Sequence, residues 1–214
     1  MKVRKVVTRS GKRFRGKFPS AKLGRMVEWE SLYERDAILH LEYHPLVVHY
    51  QEQPSIEIYY DPVGESHKYF PDFSALFNSG NERFFEVKPS RFLRRRDVRE
   101  KLEAVASRFQ EQGREFRVLT EEHIRRQPLF SNLKAIHRSA KKASYRETDK
   151  QLATTLVGGP MWSFRDLVAQ LGSVQKALRL IRADYLRVDL EATLEDSSMV
   201  WLSSTGGNRG SFRI

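Results

Sequence analysis

The chain reads as an α/β fold, a mixed sheet flanked by helices, and three stretches of sequence carry that prediction. Phe73–Phe77 and Arg83–Phe85 are apolar, strand-like runs on either side of Asn78-Ser79-Gly80-Asn81, a turn signal, and so predict a hairpin. Beyond it, Pro89-Ser90 can start a helix that Asp97–Gln112 continue to Gly113. Glu115-Phe116-Arg117-Val118-Leu119-Thr120 then reads as another strand. Strand, helix, strand in that order predicts a right-handed crossover, with the last strand parallel to the one that holds Glu86.

The first 25 residues hold Lys2, Arg4, Lys5, Arg9, Lys12, Arg13, Arg15, Lys17, Lys22 and Arg25 and no acid, so they carry nearly all of the net charge of +11. Such a run predicts a solvated, flexible basic arm over 1–25, suited to phosphate contacts on nucleic acid, with Lys12, Arg13 and Arg15 as candidate DNA contacts. Glu28–Tyr43 reads as a helix ended by His44-Pro45. On it Glu34 shares a face with Ala37, Ile38 and Leu41, where a carboxylate needs a partner. A metal is one candidate. The other is a capping box, Ser31-Leu32-Tyr33-Glu34, in which Glu34 folds back on the helix start; the helix-forming residues before Ser31 weigh against it.

Val47–Gln51 and Ile56–Tyr60 are strand-like and separated by Glu52-Gln53-Pro54-Ser55. A turn at Asp61-Pro62-Val63-Gly64-Glu65 leads into the strand that ends in Asp72. A hairpin centred on Ser79 sets Asp72 opposite Glu86, and strand alternation turns Glu86 and Lys88 the same way. Both carboxylates then share a face with Cβ atoms roughly 4.5–5.5 Å apart, an arrangement that is costly unless a cation sits between them. Pro71-Asp72 followed by Glu86-Val87-Lys88 is a pattern that can hold a divalent metal beside a scissile phosphate. Arg91, Arg94, Arg95 and Arg96 crowd the start of the following helix, where the dipole disfavours cations; a DNA backbone beside the site would account for them.

Other chemistries are excluded. With no cysteine there are no thiolate nucleophiles, disulfides or cysteine-ligated clusters, which suits a reducing cytoplasm. No apolar run approaches the ~20 residues of a membrane span, and the basic start lacks the apolar stretch of a signal peptide. No phosphate-binding glycine loop is present, and His40-Leu41-Glu42-Tyr43-His44 misplaces the glutamate of a zinc-protease motif, so both histidines read as structural.

A second unit follows. Residues 126–160 read as a basic connecting segment (Lys134, Arg138, Lys141, Lys142, Arg146) closed by Gly158-Gly159-Pro160. Ser163 can cap a helix to Leu171, Gly172 ends it, and Ser173 caps a second from Val174 to Tyr185. With the strand-like Leu186–Leu190 and Met199–Leu202, the pair predicts a winged helix–turn–helix over 161–203. In its second helix Lys176, Arg179 and Arg182 form a basic stripe that can face DNA or solvent, while Ala177, Leu178, Ile181 and Tyr185 face inward. Residues 204–214 read as a flexible tail.

Four motifs in order resemble one known family: Ser31-Leu32-Tyr33-Glu34-Arg35-Asp36, Glu52-Gln53-Pro54, Tyr69-Phe70-Pro71-Asp72-Phe73 and Glu86-Val87-Lys88-Pro89. Over roughly residues 26–125 the chain resembles the N-terminal domain of TnsA, the endonuclease subunit of heteromeric cut-and-paste transposases. The resemblance implies a restriction-endonuclease-like fold and Mg²⁺-dependent cutting of the 5′ strands at transposon ends, with Mn²⁺ an expected substitute. It also implies double-stranded DNA, a TnsB-type transposase and a TnsC-type ATPase as partners, the last engaged by the C-terminal region. By position it implies Glu34, Asp72, Glu86 and Lys88 as the catalytic set, where parts of the family have glutamine in place of Glu86. Hard oxygen ligands suit Mg²⁺, so Glu34, Asp72 and Glu86, with the Val87 carbonyl, are the candidate ligands. Lys88 reads as an electrostatic and positioning residue, since an ordinary lysine is a poor base. Gln53-Pro54 supports the site by resemblance, or forms a plain turn. A free-standing restriction- or repair-type nuclease and a non-catalytic DNA-binding adaptor are the alternatives.

Overall fold

The computed structural model describes residues 14–139, 146–156, 159–204 and 212–214. They form two compact units, one comprising residues up to Glu42, Leu46–Arg125 and Ile214, the other Tyr43–Pro45 and Arg126–Arg213.

The first unit opens with a hairpin, β1 (Gly16–Ser20) and β2 (Arg25–Trp29), followed by α1 (Leu32–Tyr43) and β3 (Val47–Glu52). The hairpin corrects two expectations. The second half of the predicted basic arm is structured, and α1 begins at Leu32 because the residues before Ser31 are strand. Its physical basis is a buried carboxylate that the charge pattern conceals. Glu42 accepts from the Ser20 hydroxyl at 2.6 Å, the Ala21 and Lys22 N–H groups at 2.8 and 3.0 Å, and the Tyr50 hydroxyl at 2.7 Å. Buried Glu52 likewise takes both arms of Arg25 at 2.6–2.8 Å. Arg25 is thus spent internally, as are Lys22, which donates to the Leu41 carbonyl, and Lys17, which lies 3.6 Å from Glu28. Lys2 to Arg13 lie outside the described residues.

Next come β4 (Glu57–Tyr60) and β5 (Ser66–Tyr69), which pair only with each other, then β6 (Phe73–Phe77) and β7 (Glu82–Val87). Here β5 ends at Tyr69, so Asp72 stands in the break before β6 rather than at the end of a strand. The β6–β7 hairpin has the register expected of a turn centred on Ser79: Phe73 faces Phe85, Ser74 faces Phe84 and Leu76 faces Glu82. Gly80 takes φ +86° in the turn, a conformation that favours glycine. Two helices, α2 (Ser90–Leu93) and α3 (Arg96–Glu111), lead to β8 (Glu115–Leu119), which pairs parallel to β7. The sheet order β3-β6-β7-β8 is mixed, as the sequence predicts. The single helix expected after Pro89 breaks at Arg94–Arg95, where Arg95 turns extended (ψ 130°).

The last four residues of β7 are all buried, as befits a central strand covered on both faces. On one side Phe84 packs with Tyr59, Tyr69, Val105 and Phe109. Arg114 lies over the Phe84 and Phe109 rings and holds Glu57 at 2.9–3.0 Å, which ties α3's end to the β4–β5 ribbon. A short helix, α4 (Glu121–Ile124), closes the unit; Arg125 stacks on Tyr33 and grips buried Asp36 at 2.7–2.9 Å.

The second unit contains α5 (Leu129–Arg138), α6 (Arg146–Thr154), β9 (Met161–Ser163), α7 (Phe164–Leu171), α8 (Val174–Arg182), β10 (Leu186–Val188) and β11 (Met199–Leu202). Its sheet is antiparallel, in the order β10-β11-β9. The segment expected to be a connector is core instead: Leu129, Phe130, Leu133 and Ile136 recur at helical spacing beneath the basic residues and are all buried. Ser163 and Ser173 cap α7 and α8 as expected, and Gly172 ends α7 at φ +68°. Helix α8 stops at Arg182, three residues short of Tyr185, and Leu180 is the fully buried side chain rather than Ile181. The tail expectation also fails at its end, where Phe212 and Ile214 are buried; residues 205–211 lie outside those described.

Candidate active site

The site forms where β6 and β7 begin and end. The Val87 N–H donates to Asp72 Oδ2 at 2.7 Å, so the end of β7 pins the aspartate carboxylate. The Gln53 N–H donates to the Asp72 carbonyl at 2.9 Å, extending the β3–β6 pairing by one residue. Gln53 adopts φ +43°, rare outside glycine, and its side chain is buried with Oε1 unpaired.

Glu86 is 6% exposed, and its two oxygens have different partners. Lys88 Nζ lies 2.7 Å from Oε1, and the Tyr69 hydroxyl donates to Oε2 at 2.6 Å. The Lys88 N–H donates to the Leu119 carbonyl, and Glu121 receives the N–H and hydroxyl of Ser90 at 2.8 and 2.7 Å. These bonds fix the turn out of β7, and with it the lysine.

Glu34 arrives from the first turn of α1. Ser31 Oγ accepts from the Glu34 N–H at 3.1 Å, and Glu34 Oε2 accepts from the Glu30 N–H at 2.7 Å. The cap considered as an alternative to metal binding is thus present, shifted by one residue because the reach-back ends on Glu30. It does not isolate Glu34 from the other acids.

The electrostatics tie the four side chains together. Burial, followed by the charges of Glu86 and Glu34, pushes Asp72 well above the ordinary carboxylate range, against the Val87 N–H that favours ionisation. Glu34 is raised by burial and by repulsion from Glu30 and Glu86, although the Glu30 N–H and Ser31 oppose this. Burial disfavours the Lys88 ammonium, but the Glu86, Asp72 and Glu34 carboxylates outweigh it and leave its pKa raised. The balance favours the charged ammonium of Lys88.

This donor set fits a hard divalent cation. Asp72 and Glu86 carry oxygens at the end of β7 beside the Lys88 ammonium, each held by an N–H or O–H donor, and the charge of Glu34 is felt at Asp72. Glu34, Asp72 and Glu86 are the side chains that would hold it. Among the described residues the three side chains whose ligand-type atoms all lie within 4.8 Å of one another are Asp61, Glu65 and His67, at the β4–β5 turn. There Asp61 is already occupied by the N–H groups of Val63 and Glu65 and by His67, which explains the group as turn structure.

The predicted phosphate contacts fare unevenly. Arg91, Arg94, Arg95 and Arg96 are exposed within eight residues of Lys88, with Arg95 and Arg96 paired to Asp97 and Glu100 at 2.6 Å. Arg15 is half-buried, while Lys12 and Arg13 lie outside the described residues. In the second unit Arg179 forms an ion pair with buried Asp149, and the exposed Lys176 donates to the Leu171 carbonyl at 3.0 Å. The expected free basic stripe is thereby partly consumed, Arg179 above all. Reading the sequence gave Tyr69 no role; its signal was its place three residues before Asp72 in the Tyr-Phe-Pro-Asp run.

Among known proteins, residues 44–121 match the family model described as TnsA-like endonuclease N terminal. The curated proteins contain no match to the chain. The matched span holds Asp72, Glu86, Lys88 and the arginines after them, and excludes Glu34. With an acidic site at the edge of a mixed sheet and this match over it, the chain carries a TnsA-like endonuclease N-terminal domain, the mark of a transposition-associated nuclease.

Proposed function

We propose that this protein cuts the 5′ strands at transposon ends in a Mg²⁺-dependent reaction, together with a TnsB-type transposase and a TnsC-type ATPase. The observation that carries the reading is the pinning of Asp72 by the Val87 N–H and of Glu86 by Lys88 and Tyr69 at the end of β7, within the matched domain. Asp72 and Glu86 would hold the cation, Glu34 would complete the oxygen set from α1, and Lys88 would balance phosphate charge and orient the attacking water. When bound, Mg²⁺ would lower the pKa of a water and stabilise charge on the leaving oxygen. The exposed Arg91, Arg94, Arg95 and Arg96 contact the DNA backbone beside the site.

For the second unit we favour a winged-helix arrangement, on the strength of the order β9-α7-α8-β10-β11 and the antiparallel sheet around it. Because Arg179 is already paired with Asp149, docking of a TnsC-type protein is better supported than reading DNA with α8.

The test is a cleavage assay on labelled transposon-end DNA with Mg²⁺, run with the protein alone and with its two partners. Efficient 5′ cutting only in the complete mixture is expected, and Glu86→Ala should abolish it. Efficient cutting of any DNA by the protein alone would favour a free-standing nuclease, and no cutting under any condition a non-catalytic adaptor.

A further inference from the structure

The proposed chemistry leaves one buried polar group at the site unused, the phenol of Tyr69. Tyr69 ends β5, in a two-stranded ribbon separate from the sheet that carries the acids. Its ring is 3% exposed, meets Tyr59 and Phe116 edge-on at 6.4 and 6.0 Å, and has Lys101 Nζ 5.3 Å from its centroid. A ring held on those sides cannot swing, so its hydroxyl is fixed in place. That hydroxyl donates a 2.6 Å bond to Glu86 Oε2. Packing alone does not require it: phenylalanine would make the same ring contacts, and burying a hydroxyl in an aromatic cluster is unfavourable without a partner.

We propose that Tyr69 is a positioning residue for Glu86, fixing Oε2 by its O–H so that Oε1, the oxygen now facing Lys88, is the one offered to a divalent cation. Without the hydroxyl, Glu86 keeps only the lysine, a partner that draws Oε1 away from the task. Hydrogen-bonded partners of metal-binding carboxylates typically govern metal affinity by 10–100-fold. The β4–β5 ribbon thus belongs to the catalytic apparatus although it contributes no acid to it. This inference rests on Glu86 being a cation ligand, so the experiment treats the two separately.

Mn²⁺ binding to the full-length protein is measured by electron paramagnetic resonance for wild type, Tyr69→Phe, Glu86→Ala and the double variant, with melting temperatures of the metal-free proteins. Wild type should bind Mn²⁺, and Glu86→Ala should bind it far more weakly; if these two bind alike, the assignment of Glu86 as a ligand fails. Granted that difference, Tyr69→Phe is expected to bind about 10–100-fold more weakly, with its metal-free melting temperature within a few degrees of wild type. In the Glu86→Ala background the same change should have no further effect, because the hydroxyl acts through Glu86. In the cleavage assay Tyr69→Phe should need more metal for half-maximal rate yet approach wild-type turnover at saturation. Unchanged Mn²⁺ affinity, an effect that persists without Glu86, or loss of fold in Tyr69→Phe would each overturn the proposal, the last by showing that the hydroxyl serves the core.

Discussion

At the scale of single residues, Lys88 and Glu86 supply the chain's own answer to clustered acids: an ammonium 2.7 Å from a carboxylate oxygen. It does not fully offset Asp72, whose pKa stays well above normal because burial and two neighbouring charges disfavour its ionisation. Asp72→Asn should therefore end cleavage while raising the melting temperature near neutral pH, since asparagine keeps an acceptor for the Val87 N–H and sheds the repulsion. The sign can be checked. A carboxyl whose folded pKa is raised costs stability only once the unfolded chain ionises, so the gain should vanish below the ordinary aspartate range. Equally, a proton on Asp72 or Glu34 must leave before a cation binds, so apparent metal affinity should climb as pH rises through the mildly acidic range, as titration calorimetry would detect. These residues were legible in the sequence because the acids and lysine stand at strand spacing around a recognisable turn. The hydroxyl bond of Tyr69 and the left-handed backbone of Gln53 were not, because both come from tertiary pairing, although Gln53-Pro54 stands out by resemblance.

The elements show where local pattern misleads. A carboxylate three residues after a serine can cap a helix or serve a site; Glu34 accepts from the Glu30 N–H, and its pKa is raised by burial and then by the charges of Glu30 and Glu86. Two substitutions separate the roles. Glu34→Gln retains the acceptor for the Glu30 N–H and should fold like wild type but cut poorly. Glu34→Ala should cut poorly and also lose about 1 kcal/mol of stability by denaturant titration. Start and stop signals were readable at α7 and α8 because serine caps and a glycine stop are local. The β1–β2 hairpin was not, since a run without acids looks unstructured until Glu42 and Glu52 arrive from α1 and β3 to satisfy it. Helix α5 was hidden for a simpler reason: its exposed basic side chains masked an apolar stripe of correct period.

For the molecule as a whole, charge is unevenly distributed. Of the ten cations before position 26, Lys17, Lys22 and Arg25 are engaged inside the first unit, and seven stand before Gly16 in the sequence. Deleting residues 2–15 removes Lys2, Arg4, Lys5, Arg9, Lys12, Arg13 and Arg15 and stops short of β1. DNA affinity should fall similarly across sequences, and the slope of log affinity against log salt should shrink by several units, at about 0.9 per lost phosphate contact. An unchanged slope, measured by fluorescence anisotropy, would mean that this stretch serves a protein partner instead.

The chain's path also has a practical consequence. It passes from the first unit to the second at Tyr43, returns at Leu46, leaves again at Arg126 and comes back for Ile214, whose carbonyl accepts from Arg117 at 2.7 Å. Each unit therefore draws residues from both sides of the Arg125–Arg126 bond. A cleavage after Arg125 leaves Tyr43–Pro45 joined to α1 and takes away the residue that Arg117 holds, so the nicked halves should stay together on a sizing column until a denaturant releases them.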